Sequence, residues 1–151
     1  LLERTLDLAV LFDPPKVDEL VVKRICELPI IPVSAFEAAN SENFFDKQYV
    51  YVDWGTSFSL WHAREFNGHA PPYFRTSTGR IALDLILKCG GSAFIPQLLV
   101  EEQLKAGELY HVEDVAHTSR DVFVAYHKDN EQTPLLEKLV NLLMELKISY
   151  K

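Results

Sequence analysis

Three consecutive hydroxyl residues, Thr76, Ser77 and Thr78, are the best candidates for ligand binding in this 151-residue chain. They lie three residues before the stretch 81–87, in which apolar residues cover most of a predicted helix surface. Ser and Thr are favoured N-cap residues, and the free N–H groups of a helix N-terminus attract anions. For one hydroxyl, a plain cap is the better explanation. Three in a row exceed what capping needs, so the pattern predicts hydrogen bonding to a small ligand.

Other candidates stand at similar positions, directly after predicted strands. Trp54 follows the apolar segment 49–52 and is either a packed turn aromatic or the wall of a pocket. Arg75 and Arg80 flank the hydroxyls and are either solvated charges or bidentate partners for a carboxylate. Ligands of open α/β sheets bind at the carboxyl ends of strands. The predicted effector-binding residues are therefore Thr76, Ser77, Thr78, Trp54, Thr56 and Asp13.

Signals for catalysis or metal binding are weak. Of the five histidines, only His62 has a neighbour, Glu65, at a spacing that could place two metal ligands on one helix face. A zinc site needs three or four ligands, and no second pair is present. Nucleophile-elbow, P-loop and dinucleotide-binding motifs are absent. We therefore expect no enzyme activity, no metal site and no cofactor.

Composition restricts the partners that this chain can bind. Its net charge is −7 and it has no basic run, which argues against nucleic-acid binding by its own surface. The apolar segments are too short and too often interrupted to span a bilayer. Cys26 and Cys89 lie in apolar runs without metal-type spacing, so we expect free, buried thiols in a reducing compartment.

The elements that position the hydroxyls read as one βαβ unit. A short strand ends near Thr76, the apolar helix follows, Gly90 and Gly91 stop it, and Ser92 to Pro96 form a buried strand. Strands and helices alternate along the rest of the chain as well, which predicts an α/β fold.

Three predictions concern the flanking segments. Residues 6–12 read as a buried strand. Pro29 and Pro32 predict that the extended segment 20–31 ends as an edge strand or a crossover, because proline lacks a ladder donor. Residues 113–120 read as a polar linker.

Three motifs together resemble one known family. The stretches 6–10, 89–96 and 104–109 are similar, in order and spacing, to the effector-binding domain of LysR-type transcriptional regulators. The segments 19–34 and 53–55 look most like the branch that includes the repressor of the flagellar master operon. The resemblance covers essentially the whole chain. One departure is Cys89-Gly90-Gly91, where the family usually has G-x-G.

The resemblance implies a two-lobed α/β fold of the periplasmic-binding-protein type 2, with its N-terminal part incomplete. Lobe I would comprise residues 1–27 and 119–151, and lobe II residues 28–118. A small effector, possibly anionic, would bind in the cleft between the lobes of a cytoplasmic homodimer or homotetramer. DNA would be bound only through an N-terminal winged helix-turn-helix domain absent from this chain. The alternatives are a solute-binding receptor of the same fold and a dimerisation module without a ligand.

Overall fold

A computed structural model describes residues 6–14, 16–69, 71–130 and 132–149. The chain forms two compact units. The first takes in the chain up to Leu28 and again from Arg120 onward, and the second is Pro29–Ser119. These limits differ by one residue at each crossing from the predicted lobe boundaries.

Strands and helices alternate through both units. The strands are β1 Ala9–Leu11, β2 Leu20–Ser34, β3 Tyr49–Val52, β4 Phe74–Thr76, β5 Ser92–Pro96, β6 Tyr110–His111 and β7 Thr118–His127. The helices are α1 Thr56–Glu65, α2 Gly79–Cys89, α3 Gln97–Lys105 and α4 Thr133–Ser149, with a short 3-10 turn at Phe44–Asp46.

The first unit joins β1, β7 and the start of β2 to helix α4. Strand β1 is antiparallel to β7, with Val10 opposite Val124. Leu136 and Val140 of α4 are buried in a core with Ile25, Val124 and other side chains of β2 and β7. The prediction of a buried strand over residues 6–12 was wrong in its extent and burial. Strand β1 has only three residues, and Val10 is 56% exposed because alternate side chains of a strand point to opposite faces.

The second unit carries the sheet order β2-β5-β3-β4, with β6 on the other side of β2. Strand β3 is parallel to both β4 and β5. Helix α2 connects β4 to β5, so the predicted βαβ unit is confirmed, with β3 between its two strands. Tyr49 and Tyr51 of β3 contact the aromatic side of α1. Val50 and Val52 point to the opposite face of the sheet by strand alternation.

Two glycines are required where α2 ends, after Cys89. Gly90 and Gly91 have φ angles of 78° and 144°. A Cβ on Gly91 would lie 2.7 Å from the carbonyl oxygen of Gln48, so no larger residue fits without a backbone shift. The departure from G-x-G at Cys89 therefore leaves the two conformationally essential glycines in place.

Two further expectations are corrected by the structure, and a third is corrected only in part. Strand β2 continues through both prolines and passes from the first unit to the second between Leu28 and Pro29, which agrees with the crossover alternative. Beyond the predicted segment, Val33 pairs with β5 on one side and with β6 on the other, so this end of the strand is not an edge. Pro32 is tolerated because β6 ends opposite it, where the Pro32 oxygen accepts a hydrogen bond from the Val112 nitrogen. The predicted linker 113–120 includes the start of β7, and Arg120 is only 7% exposed. Cys89 is exposed, because it ends α2 on the side away from the core.

Candidate functional site

The candidate site is the edge of the second unit at which β3 and β4 end. In their parallel pairing Val52 lies opposite Thr76, and the Asp53 nitrogen donates a hydrogen bond of 2.9 Å to the Thr76 oxygen. The residues that follow the two strands therefore start side by side. They lead into the N-termini of α1 and α2, so the free N–H groups of both helices lie at this edge.

The three predicted hydroxyl residues occupy the turn between β4 and α2. Thr78 is the N-cap residue of α2, but its side chain makes no capping hydrogen bond. The Thr76 hydroxyl instead accepts a hydrogen bond of 3.1 Å from the Thr78 nitrogen. Ser77 and Thr78 are exposed. Thr78 therefore does not have the capping role expected for a single hydroxyl. The side chains of Ser77 and Thr78 are both exposed and can reach a ligand.

Trp54 is buried beneath the hydroxyl turn and packs against the start of α2. It is 8% exposed, and its indole nitrogen donates a hydrogen bond of 2.8 Å to the Phe94 oxygen of β5. Its six-membered ring packs closely against Gly79, the first residue of α2. Of the two alternatives left open by the sequence, this geometry agrees with a packed turn aromatic, which ties the end of β3 to the start of α2.

Charge differs between the two helix N-termini. Thr56 is the exposed first residue of α1, after Gly55, whose nitrogen donates to the Asp53 carboxylate at 2.9 Å. This carboxylate already complements the positive end of the α1 dipole. In the first turns of α2, Arg80 and Asp84 form an exposed pair at 3.5 Å, which contributes little. The N-terminus of α2 is therefore the more favourable of the two for an anion.

Asp13 lies in the first unit, whereas the other five predicted residues belong to the second. Its carboxylate forms an ion pair with Arg120, whose guanidinium group also lies 5.6 Å from the centroid of the Phe12 ring. The Arg120 side chain is only 7% exposed, so Asp13 compensates a buried charge. Its use by an effector stays a prediction, as does that of the other five residues.

His62 takes part in an aromatic cluster instead of pairing with Glu65. Its Nε2 atom lies 2.8 Å from the Tyr49 hydroxyl, and the two rings stack. Burial lowers the pKa of His62 to about 4, and the positive charges of His69 and Arg75 add to this shift. The imidazole is therefore neutral near pH 7. Within the part of the chain that the structure describes, no three His, Cys, Asp or Glu residues are grouped so that they could hold a metal ion.

Sequence reasoning missed a cavity in the second unit. It has a volume of about 410 Å³, and none of the six predicted residues lines it. The one sequence pattern that could have indicated the cavity is Tyr49 and Tyr51, which point to the same face of a strand before a helix that contains His62. The sequence does not show that Tyr51 pairs with Arg75, and without that pairing the pattern is typical of an ordinary hydrophobic core.

No helix in the described ranges is both long and apolar enough to cross a membrane.

Comparisons with known proteins agree on one family. The family model described as LysR substrate binding domain matches residues 1–147. The chain is 25% identical over 151 residues to the HTH-type transcriptional regulator HdfR of Yersinia enterocolitica, covering 94% of this chain and 50% of that protein. HdfR of Yersinia pestis (strain Pestoides F) is 24% identical with the same coverage. The chain thus spans about half the length of the curated relatives it matches.

Solved structures show the same fold. The bromide-bound regulatory domain of HypT from Salmonella typhimurium superposes with a TM-score of 0.78 at 13% identity, over 95% of this chain and 75% of that one. The regulatory domain of CrgA, a LysR-type regulator from Neisseria meningitidis, has a TM-score of 0.75 at 20% identity, over 96% and 77% of the two chains. These comparisons confirm the resemblance predicted from the three sequence motifs. The chain belongs to the LysR substrate-binding-domain family and has the periplasmic-binding-protein-like type 2 fold of LysR regulatory domains.

Proposed function

We propose that this chain is the effector-sensing part of a longer, cytoplasmic LysR-type regulator that acts as a homo-oligomer and has no enzyme activity. A small molecule bound at the edge where β3 and β4 end would favour one conformation of the regulator. DNA binding by a helix-turn-helix domain elsewhere in the longer protein would change in response.

The observation that carries this proposal is the state of the hydroxyl turn. Ser77 and Thr78 are exposed, Thr78 makes no capping bond, and the N-terminus of α2 is directly behind them. Hydroxyl groups and free backbone N–H groups together recognise carboxylate, phosphate or sulfate oxygens. We therefore expect a small, anionic effector.

The first test is a thermal-shift screen of small carboxylic and phosphorylated acids with the natural full-length protein. An effector present at 100 times its Kd should add about 2.7 kcal/mol to the free energy of unfolding. The double substitution Ser77→Ala and Thr78→Ala should abolish most of this gain. Without ligand, the same variant should lose less than about 1 kcal/mol, because Thr78 makes no side-chain cap.

Ser119→Ala is a matched control, since Ser119 is also an exposed hydroxyl of the second unit but lies in β7, outside the hydroxyl turn. It should keep the full ligand-induced gain. A double variant that also keeps the full gain would show that the hydroxyl turn does not bind the effector. A screen without any stabilising acid would favour a dimerisation module that binds no ligand.

A further inference from the structure

The cavity of about 410 Å³ opens in the second unit between α1 and the strands β3 and β4. Its volume lies within the range of about 300–1,000 Å³ that is typical of small-molecule sites. The lining is mostly aromatic and includes Phe45, Tyr49, Tyr51, His62, Phe66 and His69.

The walls of the cavity suit a flat ring. Phe45 and His69 stack with their centroids 4.3 Å apart and their planes at 25°. Phe45 also meets Tyr49 edge to face at 4.7 Å, and these two residues are 8% and 2% exposed. These contacts fix the buried rings, so the more accessible rings beside them, Tyr51, Phe66 and His69, form a preorganised aromatic surface on which a ligand ring can stack at little entropic cost.

Arg75 adds a positive charge to this aromatic surface. It lies opposite Tyr51 in the pairing of β3 and β4, and its guanidinium group is 5.3 Å from the Tyr51 centroid. Among the described residues, no Asp or Glu lines the cavity and none forms a salt bridge with Arg75. The planar N–H fork of Arg75 is therefore available for bidentate contact with a carboxylate.

We propose that this cavity is a second ligand site, which binds a small aromatic carboxylate. The ring of the ligand packs against Tyr51, Phe66 and His69, and its carboxylate pairs with Arg75. The neutral imidazole of His62 can donate or accept one hydrogen bond to a ring substituent, depending on its tautomer, when the Tyr49 hydroxyl releases that contact.

This site is separate from the hydroxyl turn, although the two are adjacent in sequence. Arg75 and Thr76 are successive residues of β4, so their side chains point to opposite faces of the sheet. Arg75 shares its face with Tyr51, whose ring contacts Phe58 and His62 of α1. Thr76 lies opposite Val52, on the other face. The proposal does not depend on effector binding at the hydroxyl turn.

The test is isothermal titration calorimetry of the natural full-length protein with three probes of similar size. Phenylacetate has an aromatic ring and the charge, phenylacetamide has the aromatic ring without the charge, and cyclohexylacetate has the charge on an apolar ring that cannot stack. We expect phenylacetate to bind about ten-fold more tightly than phenylacetamide, because of the charge-assisted bidentate pair. We expect it to bind several-fold more tightly than cyclohexylacetate, because only the aromatic ring stacks.

The variant Arg75→Gln should reduce phenylacetate affinity about ten-fold, to the level of phenylacetamide, and leave the affinity for phenylacetamide unchanged. Arg75→Lys should give an intermediate affinity, because it keeps the charge without the planar fork. Arg75 is exposed, so all variants should unfold at the same urea concentration as the wild type.

Arg80→Gln is the matched control, with the same change of charge on an exposed arginine at the start of α2. It should leave phenylacetate affinity unchanged, as should Ser77→Ala combined with Thr78→Ala. The absence of phenylacetate binding up to about 10 mM would overturn the proposal, as would equal affinity of wild type and Arg75→Gln. A loss in the control variants alone would place the probe at the hydroxyl turn and would equally refute a site in the cavity.

Discussion

Gly79 is the residue at which the packing beneath the candidate site can be tested most directly. A Cβ at this position would lie 2.5 Å from Cη2 and 3.1 Å from Cζ2 of Trp54, whereas ordinary contact begins at 3.4 Å. In Gly79→Ala the indole ring must therefore move by about 0.9 Å. Trp54 is 8% exposed and hydrogen-bonded to Phe94, so it has little room to do so.

We expect Gly79→Ala to destabilise the protein by about 1–2 kcal/mol. Overpacking a core typically costs about 1–3 kcal/mol, and the better helix propensity of alanine offsets about 0.5–1 kcal/mol of this. The free energy should be measured by urea unfolding, with an unchanged m-value as evidence that only stability has changed. Destabilisation within this range would show that α2 packs tightly against Trp54.

Trp54→Phe provides the decisive comparison, because it removes the ring atoms with which the new methyl group would collide. In that background Gly79→Ala should cost at least about 1 kcal/mol less than in the wild type. Gly68→Ala is the control, since Gly68 has a φ of 88° but a Cβ added there would have no atom within 4 Å among the described residues. Its cost should be the same in both backgrounds. If Gly79→Ala is as stable as the wild type, or costs the same with and without Trp54, the packing argument is wrong.

Three further predictions concern buried polar groups. The pKa of His62 is about 4 in the folded protein against 6.5 for a free imidazole, so unfolded chains bind the proton first and stability should fall between pH 6.5 and 4. We would measure the free energy of unfolding of the wild type and of His62→Gln in urea at pH 6.5 and pH 4. Because His62 is partly exposed, the variant should lose only about 1–2 kcal/mol less than the wild type over this range. An identical loss would contradict the lowered pKa of His62. Ser34→Ala should lower the free energy of unfolding by about 1–3 kcal/mol in the same assay, because it removes the hydroxyl to which the buried Ser92 hydroxyl donates at 2.8 Å. A neutral effect would mean that a water molecule replaces the Ser34 hydroxyl. Asp13→Ala should cost about 1–2 kcal/mol without ligand, since it leaves the buried Arg120 charge without this carboxylate, and an unchanged midpoint would argue that Asp13 has no structural role.

Much of the fold was predictable from local signals. The limits of β3 and the order strand, hydroxyl turn, helix and strand from Phe74 to Pro96 follow from apolar runs bounded by residues that stop a helix or strand. Because these signals act within a few residues, they do not depend on partners distant in sequence. The motif resemblance then led to the correct family.

The same local signals were right for only part of β2. The chain does pass from one unit to the other between Leu28 and Pro29, but the end of the strand is not an edge. Pro29 and Pro32 lack a donor, but whether that matters depends on which neighbouring strand needs the donor at that point. The sequence contains no information on where β6 ends relative to Pro32. Only the assembled sheet shows that Val33 is paired on both sides.

The candidate site divides in the same way. Residue types predicted the hydroxyl turn and its position at a strand end, because capping and strand alternation are local properties. The role of Trp54 and the charge beside the aromatic cavity were decided by tertiary structure alone. Trp54 reaches Phe94, forty positions away, and Arg75 meets Tyr51 through the register of two parallel strands. A shift of that register by one residue would move Arg75 to the opposite face, because the side-chain period of a strand is two, and no local pattern specifies it.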